Sequence, residues 1–354
     1  MKKLSVCVLF GGVSPEHEVS LRSAESVLNH LDPEKYNIFP VGITKTGEWI
    51  LYGGRDYGKL PTGEWKNCPE NRRAAISPVR GQGLLNFEGD CVVRERIDVV
   101  FPVLHGENGE DGSIQGLLQL AGIPYVGPHV AASATCMDKT LTKLVAGHAG
   151  IRQAAWQLVT AQELESNAEA VLDRLEKAFA YPVFVKPAGT GSSVGVAKAK
   201  TREALEAALR NAAKFDRKVL VEEFINGREV EVAVLGNAGP AASVCGEIDS
   251  GTEFYDYDAK YIFDCARLYI PARIDEETAE RVRDNAVRVY EAMGCCGLSR
   301  VDFFVTYDTN EIVFNEINTI PGFTSISMYP KLFEASGIPY SELLDQLLAL
   351  ALED

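Results

Sequence analysis

Short apolar runs alternate with amphipathic segments in the first third of the chain, and this pattern predicts an α/β domain. Residues Leu4–Phe10 form a continuous apolar run, as expected for a strand buried on both faces. The run ends at Gly11-Gly12, and the next segment predicts a helix from about Ser20 to Leu31. Residues 44–96 show little periodicity, so we interpret them as an elaboration of this domain. The same patterns predict strands at Tyr36–Val41 and Ile97–Val103 and a helix at Ser113–Ala121.

The remaining two thirds mix helices and strands and predict α+β units. One helix has Asp275 as its N-cap, carries Glu276-Glu277 in its first turn and ends at Gly294. The other predicted helices are Asp138–Gly150, Ala161–Ala180, Glu203–Phe215 and Tyr340–Leu350. The predicted strands are Pro182–Lys186, a segment near Val196, Lys218–Glu223, Glu229–Leu235, Ala242–Glu247, Leu298–Thr306 and Glu311–Glu316.

Composition and charge narrow the class of protein. The 354 residues are too many for one compact core and suit two or three domains. The formal net charge of −15 argues against nucleic-acid binding, which requires a basic surface. The eight cysteines include no Cys-x-x-Cys spacing, which indicates reduced thiols in a reducing compartment. No segment has the roughly 18–20 apolar residues of a membrane helix, so we expect a cytoplasmic protein without a membrane partner.

Polar side chains on two late strands predict a metal site. Alternation in the strand around Arg300 and Asp302 places these two residues on one face. Glu316 and Asn318 are also two residues apart, and a hairpin around Asp308–Asn310 would bring the two strands together. Two carboxylates and an amide oxygen suit Mg²⁺. The alternative is a solvated sheet face with incidental acidic residues.

A glycine-rich loop and three lysines predict an anion site. The segment Lys186–Val196 contains three glycines and two serines, which free the backbone to point amide hydrogens at anionic oxygens. It matches neither a Walker A loop nor Gly-x-Gly-x-x-Gly. Lys139, Lys186 and Lys260 are candidate phosphate ligands, although each taken singly could be a solvated surface lysine. The aromatic residues around Lys260 suggest a lid.

Two acidic turns and one strand end complete the candidate chemistry. Glu16 and His105 lie in glycine-punctuated turns that follow apolar strands, where α/β sheets bind ligands. Glu16 could instead stabilise a helix N-terminus, and His105 could be a core histidine. Glu222 and Ile225 end another strand and could contact an adenine ring, or belong to an exposed edge strand.

Several segments, in this order, resemble the D-alanine–D-alanine ligases of the ATP-grasp superfamily, and the resemblance covers nearly the whole chain. The most specific are Phe10–Ser20 (FGGVSPEHEVS), His105–Gly116 (HGENGEDGSIQG), Met137-Asp138-Lys139 and Asn315–Ser325 (NEINTIPGFTS). Residues 44–96 look like the insertion of the longer members, and the chain also resembles the D-Ala–D-Ser ligases associated with vancomycin resistance. The resemblance therefore leaves the second substrate open.

The resemblance implies an ATP-grasp fold preceded by a Rossmann-like, preATP-grasp α/β domain. The expected domains are residues 1–128 with the insertion 44–96, a central ATP-grasp subdomain 129–222 and a C-terminal subdomain 223–354. ATP would be held by Lys139, Lys186, Glu222, Ile225, Glu229 and Lys260. Two Mg²⁺ or Mn²⁺ ions would be held by Asp302, Glu316 and Asn318. The expected catalytic residues are Glu16, Ser192, Tyr261, Arg300, Gly322 and Ser327, and the substrate ligands are Glu16, His105, Lys260, Ser327 and Met328.

The implied activity is ATP-dependent ligation of two D-alanines through an acyl phosphate, a step of peptidoglycan precursor synthesis and so of cell-wall biogenesis. Members of the family are commonly homodimers, so the same is expected here. Glu223 departs from members that carry lysine at this position, which leaves a nucleotide contact from that side chain in doubt. The alternatives are a D-Ala–D-Ser ligase, an ATP-grasp ligase for another acid or amine, and a non-catalytic nucleotide-binding protein of the same fold.

Overall fold

The computed structural model describes residues 3–249 and 267–353, which form three β-sheets with helices packed on them. The predicted lid around Lys260 and Tyr261 therefore lies outside the described residues. Within the described ranges, no helix combines the length and the apolar character needed to cross a membrane.

The first sheet is seven-stranded, in the order β6-β5-β4-β3-β2-β1-β7. Its parallel core is the apolar set predicted from the sequence, β1 (Leu4–Gly11), β2 (Tyr36–Ile43) and β7 (Val99–Val103). Helices α1 (His17–His30) and α2 (Ser113–Ala121) pack on it, and Gly122 caps α2 in the left-handed conformation. Helix α1 begins three residues before the predicted start, because Glu16 is its N-cap residue.

Residues 44–96 extend this sheet, which the weak periodicity did not predict. They form four antiparallel strands: β3 (Trp49–Leu51), β4 (Arg72–Ile76), β5 (Leu84–Glu88) and β6 (Cys91–Glu95). Two 3-10 helices, Tyr57–Lys59 and Glu64–Asn67, precede β4. Strands of three to five residues are too short to establish a period of two, and β6 is largely exposed.

The second sheet is four-stranded and antiparallel, in the order β10-β9-β11-β8. Its strands are β8 (Trp156–Thr160), β9 (Val183–Pro187), β10 (Ala197–Ala199) and β11 (Lys218–Glu223). Helices α5 (Ala161–Ala178) and α6 (Arg202–Ala212) cover one face through a shared apolar cluster. The other face is left to line a cleft.

The third sheet runs β15-β14-β12-β16-β17, with β13 paired to β12. Its strands are β12 (Gly227–Leu235), β13 (Ala241–Ala242), β14 (Gly246–Asp249), β15 (Arg267–Tyr269), β16 (Leu298–Thr306) and β17 (Ile312–Asn318). Helices α3 (Val130–Met137), α4 (Lys139–His148) and α7 (Glu276–Ala292) share one apolar cluster with it. Helices α8 (Met328–Ala335) and α9 (Tyr340–Leu350) join it to α1 and the first sheet.

Several predicted elements differ from the structure. The predicted strand Ala242–Glu247 is two strands, because the Ser243 hydroxyl accepts the Ala233 N–H and interrupts the ladder. Helix α3, strand β8 and helix α8 were not predicted. The strands Lys218–Glu223 and Leu298–Thr306 and the helix Tyr340–Leu350 match their predicted bounds. The seven described cysteines are free thiols, as expected.

Candidate active site

A cleft of about 810 Å³ lies between the second and third sheets. Strands β9 and β11 contribute one wall, and β12, β16 and β17 contribute the other. The predicted site residues that line it are Lys139, Lys186, Ser192, Glu222, Ile225, Glu229, Glu316 and Asn318. Residues from distant parts of the sequence therefore meet in one cavity.

The predicted hairpin of β16 and β17 forms the acidic end of the cleft. In its register Arg300 lies opposite Asn318, and Asp302 lies opposite Glu316. Arg300 donates to both carboxylate oxygens of Asp302, from Nε at 2.8 Å and from Nη2 at 2.7 Å. The Asn318 amide donates to Asp302 at 3.1 Å. All four predicted residues of this cluster thus share one face of the sheet.

Glu231 is a second carboxylate on Arg300 that sequence reasoning missed. Its Oε2 lies 3.0 Å from Arg300 Nε, and the residue is 3% exposed. Burial acts to lower the pKa of Arg300, but Asp302 and Glu231 outweigh it and raise that pKa. Burying a carboxylate in an apolar strand costs free energy unless the carboxylate has a partner. The position of Glu231 in such a strand was therefore the sequence signal from which a buried partner could have been predicted.

The donor set at this end fits a hard divalent cation. Asp302 and Glu316 face each other across the strands, where two like charges repel unless a cation lies near them. The described residues contain no cluster of three His, Cys, Asp or Glu side chains with metal-binding geometry. The predicted set has two carboxylates and one amide, and oxygen donors of this kind suit Mg²⁺.

The other end of the cleft holds buried lysines. Lys186 lies 2.6 Å from Glu222 and donates to the Asn315 amide oxygen at 3.2 Å. Lys143 lies 2.5 Å from the second oxygen of Glu222. Lys139 donates to the Thr190 carbonyl at 2.6 Å. Lys143 was missed, although it follows Lys139 by one helical turn and therefore shares its face.

Glu222 is held ionised between these lysines. Burial acts to raise its pKa, but Lys143 and Lys186 outweigh burial and hold the pKa at about 2. Burial lowers the pKa of Lys143, whereas Glu222 raises that of Lys186 against the effect of burial. The carboxylate predicted to contact adenine is thus engaged by two ammonium groups, and an adenine contact stays a prediction.

The glycine-rich loop connects the cleft to the first sheet. Ser192 and Ser193 both have positive φ, 47° and 58°, which places successive residues in the left-handed region. The Ser192 hydroxyl donates to the Glu16 carboxylate, which joins the loop to the start of α1. Glu16 is the N-cap residue of α1 and makes no side-chain cap hydrogen bond, so only the effect of its charge on the helix N-terminus stays as the alternative role.

His105 and Glu110 lie on the turn after β7. His105 is buried, with its ring nitrogens 3.2 Å from the Ser23 hydroxyl and 3.1 Å from the Ile320 carbonyl, and burial lowers its pKa. Glu110 accepts the Gly106 N–H at 2.6 Å and lines the cleft. Burial and the nearby Glu16 raise the pKa of Glu110 to about 8. It belongs to a quoted motif but received no role from the sequence.

Three further predicted residues, Gly322, Ser327 and Met328, lie on the segment after β17. Ser327 precedes α8 and accepts the Thr324 N–H at 3.0 Å. Met328 opens α8, so its N–H belongs to a helix first turn, whose N–H groups can bind anions. A methyl group on Gly322 would lie 2.7 Å from the Ser327 hydroxyl oxygen, so these two residues are adjacent. Lys260 and Tyr261 lie outside the described residues.

Aromatic rings line the cleft beside Ile225 and Glu222. The rings of Phe184 and Phe224 stack with centroids 6.1 Å apart, and the Lys198 ammonium lies 4.1 Å from the Phe224 ring centre. Glu223 accepts the Ala155 N–H at 2.8 Å. Glu223, which departs from the family pattern, therefore holds the start of the neighbouring strand β8 through this hydrogen bond.

Comparisons with known proteins agree over the whole chain. The family model described as D-ala D-ala ligase N-terminus matches residues 5–128, and the one described as D-ala D-ala ligase C-terminus matches residues 145–349. A D-alanine–D-alanine ligase of Caldicellulosiruptor bescii is 51% identical over 100% of this chain and 96% of its own length. One of Clostridium acetobutylicum is 51% identical over 99% of this chain and 98% of its own.

Solved structures of related ligases have the same fold. The VanG D-Ala:D-Ser ligase of Enterococcus faecalis is 41% identical, with a TM-score of 0.89 over 99% of this chain and 100% of that chain. The D-alanine–D-alanine ligase of Coxiella burnetii is 37% identical, with a TM-score of 0.86 over 100% of this chain and 95% of that chain. The three sheets are thus those of an ATP-grasp fold with an N-terminal α/β domain.

Proposed function

We propose, because the chain belongs to the D-alanine–D-alanine ligase family, that it joins two molecules of D-alanine with the consumption of ATP. The chain is an ATP-dependent ligase, and its product serves peptidoglycan precursor synthesis. The observation that carries this proposal is one cleft with buried lysines at one end and Glu316 and Asn318 at the other, where Asp302 and Arg300 lie opposite these two residues on β16. A triphosphate suits the first end, and a carboxylate activated by phosphorylation suits the second.

The first step is phosphoryl transfer. The carboxylate of the first D-alanine attacks the γ-phosphorus of ATP, which gives an acyl phosphate and ADP. Both reactants are anionic, so Lys139, Lys186 and Lys260 would offset their repulsion. Glu16, held by Ser192, would bind the ammonium of this substrate, with His105 nearby. Ile225, Glu222 and Glu229 would contact the nucleoside.

The second step is acyl transfer. The neutral amine of the second D-alanine attacks the acyl carbon, and the tetrahedral intermediate releases phosphate and a proton. Arg300 and the Gly322 N–H would stabilise the oxyanion. Ser327, the Met328 N–H and Lys260 would bind the second carboxylate, while Tyr261 would close over Ser192.

The metal is part of the proposal. Asp302, Glu316 and Asn318 would hold two Mg²⁺ or Mn²⁺ ions, since their oxygens form the donor set that such ions prefer. The bound ions would supply the positive charge that lets an anionic nucleophile approach the γ-phosphate.

The domain organisation, assembly and location complete the proposal. The proposed boundary after residue 128 falls between β7 and β8. The boundary after residue 222 falls between β11 and β12, except that the last residue of β11, Glu223, lies beyond it. We propose a homodimer in the cytoplasm, and the free thiols of the described cysteines agree with a reducing compartment. Neither nucleic acid nor membrane is a proposed partner.

A D-Ala–D-Ser ligase is the second candidate, favoured by the TM-score of 0.89 to the enzyme from Enterococcus faecalis. Phosphate release is measured with ATP, Mg²⁺ and each of D-alanine, D-serine, D-lactate and L-alanine. We expect release with D-alanine, none with L-alanine, and loss of activity in EDTA that Mg²⁺ or Mn²⁺ restores. In competition at equal concentrations, D-Ala–D-Ala should predominate by mass. Mainly D-Ala–D-Ser would favour the second candidate, and no release with any of the four compounds would reject both candidates.

A further inference from the structure

Lys143 is a buried charged group that the proposed reaction does not use. It lies on α4 one turn after Lys139 and is 3% exposed. Burying an ammonium group is costly, so an unused lysine at this depth requires a partner. That partner is Glu222, 2.5 Å away and also 3% exposed.

Glu222 connects Lys143 to Lys186. One carboxylate oxygen faces Lys143 and the other faces Lys186, at 2.5 and 2.6 Å. Because β11 pairs with β9 so that Leu220 lies opposite Lys186, Glu222 is the diagonal neighbour of Lys186 on the same face. The three side chains therefore form a chain from the interior of α4 to the wall of the cleft.

We infer that Lys143 is a positioning residue of the ATP site. Its ammonium group neutralises the Glu222 carboxylate, so the positive charge of Lys186 stays available to the phosphates of ATP. Glu316 also acts on the three lysines of the cleft, Lys139, Lys143 and Lys186, so their positive charge is not in free surplus. Without Lys143, Glu222 would pair with Lys186 alone, and less of the Lys186 charge would be available to the phosphates. This inference rests on the proposed function, because it assumes that the cleft binds ATP.

The test measures nucleotide affinity by calorimetry with Mg²⁺ present, on the full chain. Lys143→Met should raise the Kd of ATP on the order of tenfold, the size expected for one partly screened charge near the phosphates. The loss should shrink from ATP to ADP to AMP, since a charge effect scales with the charge of the ligand. A merely structural disturbance of the cleft would weaken all three equally and would overturn the inference.

A second variant keeps the charge and changes the side chain. Lys143→Arg retains a cation beside Glu222, so it should fold even if Lys143→Met does not. We expect its Kd for ATP to be within about threefold of the wild-type value, because the neutralisation of Glu222 is preserved. Affinity as weak as that of Lys143→Met would show that the charge of Lys143 is not the cause and would overturn the inference.

Controls separate this inference from the proposed function. Lys66→Met removes an exposed lysine of the insertion and should leave ATP affinity unchanged. Unchanged affinity in Lys143→Met, with the wild type binding ATP, would reject the inference alone. Absence of ATP binding in the wild type would reject the proposed function. The KM for D-alanine should change little in Lys143→Met.

Discussion

Glu222 and Glu110 are carboxyl groups on the walls of the same cleft, yet their pKa values move in opposite directions. Glu222 lies between two lysines and has a pKa of about 2, whereas Glu110 lies near Glu16 and has a pKa of about 8. Burial acts to raise both values, so the difference comes from the charges around each group. The cleft therefore has a cationic end and an anionic end.

This contrast indicates what each end requires from its ligands. Two lysines contact Glu222 and a third, Lys139, lines the same cleft, and ammonium groups suit a triphosphate. Around Arg300, the carboxyl groups of Asp302, Glu231 and Glu316 outnumber the cation, and this surplus suits metal ions and a substrate ammonium. The two ends adjoin each other, because Glu316 acts on the lysines and Lys186 donates to Asn315 beside it.

The largest expected effect comes from removing the cation of the anionic end. Arg300→Ala should lower kcat by roughly 10²–10³-fold, the usual loss for one oxyanion donor, while ATP affinity stays near normal. Steady-state kinetics and direct ATP binding measure the two quantities. As a matched control, Arg228→Ala removes an arginine that lines the cleft beside Glu247. A weaker ATP affinity with unchanged kcat in Arg300→Ala would place Arg300 at the cationic end instead.

A smaller effect is expected where the glycine-rich loop meets the first sheet. Ser192→Ala removes the hydroxyl that donates to Glu16, so the carboxylate loses an orienting partner. Hydrogen bonds to charged groups contribute about 1.5–3 kcal/mol, and we expect the KM for the first D-alanine to rise roughly ten- to a hundredfold. Ser193→Ala, one residue along the same loop, is the control. Equal changes in both variants would indicate loop strain and not a substrate contact.

The smallest effect is a change in stability with pH that follows from the raised pKa of Glu110 beside Glu16. The pKa of its carboxyl group is about 8 in the folded protein, against an ordinary value of 4.5 for a glutamate side chain. Between these values the folded state keeps a proton that the unfolded state has lost, so stability falls as pH rises through this window. Glu110→Gln carries no charge and should avoid this loss.

Thermal unfolding of the ligand-free protein at pH 5 and pH 8 measures this difference. The gain in midpoint temperature of Glu110→Gln over wild type should be larger at pH 8 than at pH 5. Glu107→Gln, at an exposed position of the same turn, should show no such trend. A gain that is larger at pH 5 would contradict the assignment of an anionic end.

The charge pattern of the cleft shows where sequence reasoning was sufficient. The spacing of two in Arg300–Asp302 and in Glu316–Asn318 places each pair on one strand face. The structure pairs these strands as expected and brings Asp302 opposite Glu316. Local periodicity sufficed here because both strands are long and their hairpin is short.

Sequence reasoning failed where the signal was short or non-local. Strands β3–β6 have three to five residues, too few for a pattern of alternation. Lys143 and Glu231 have apolar neighbours in the sequence, and their charged partners are more than 60 residues away in the chain. Their roles could be recognised only once the partners were known.

The sequence by itself determined the order of the main elements, the loop and hairpin that carry the chemistry, and the family. Each of these depends on residues close together in the chain. The tertiary structure decided which charges face each other: Glu222 between Lys143 and Lys186, and Arg300 between Glu231 and Asp302. The physical reason is that a buried charge is governed by the groups within a few ångströms of it, and packing of distant segments selects those groups.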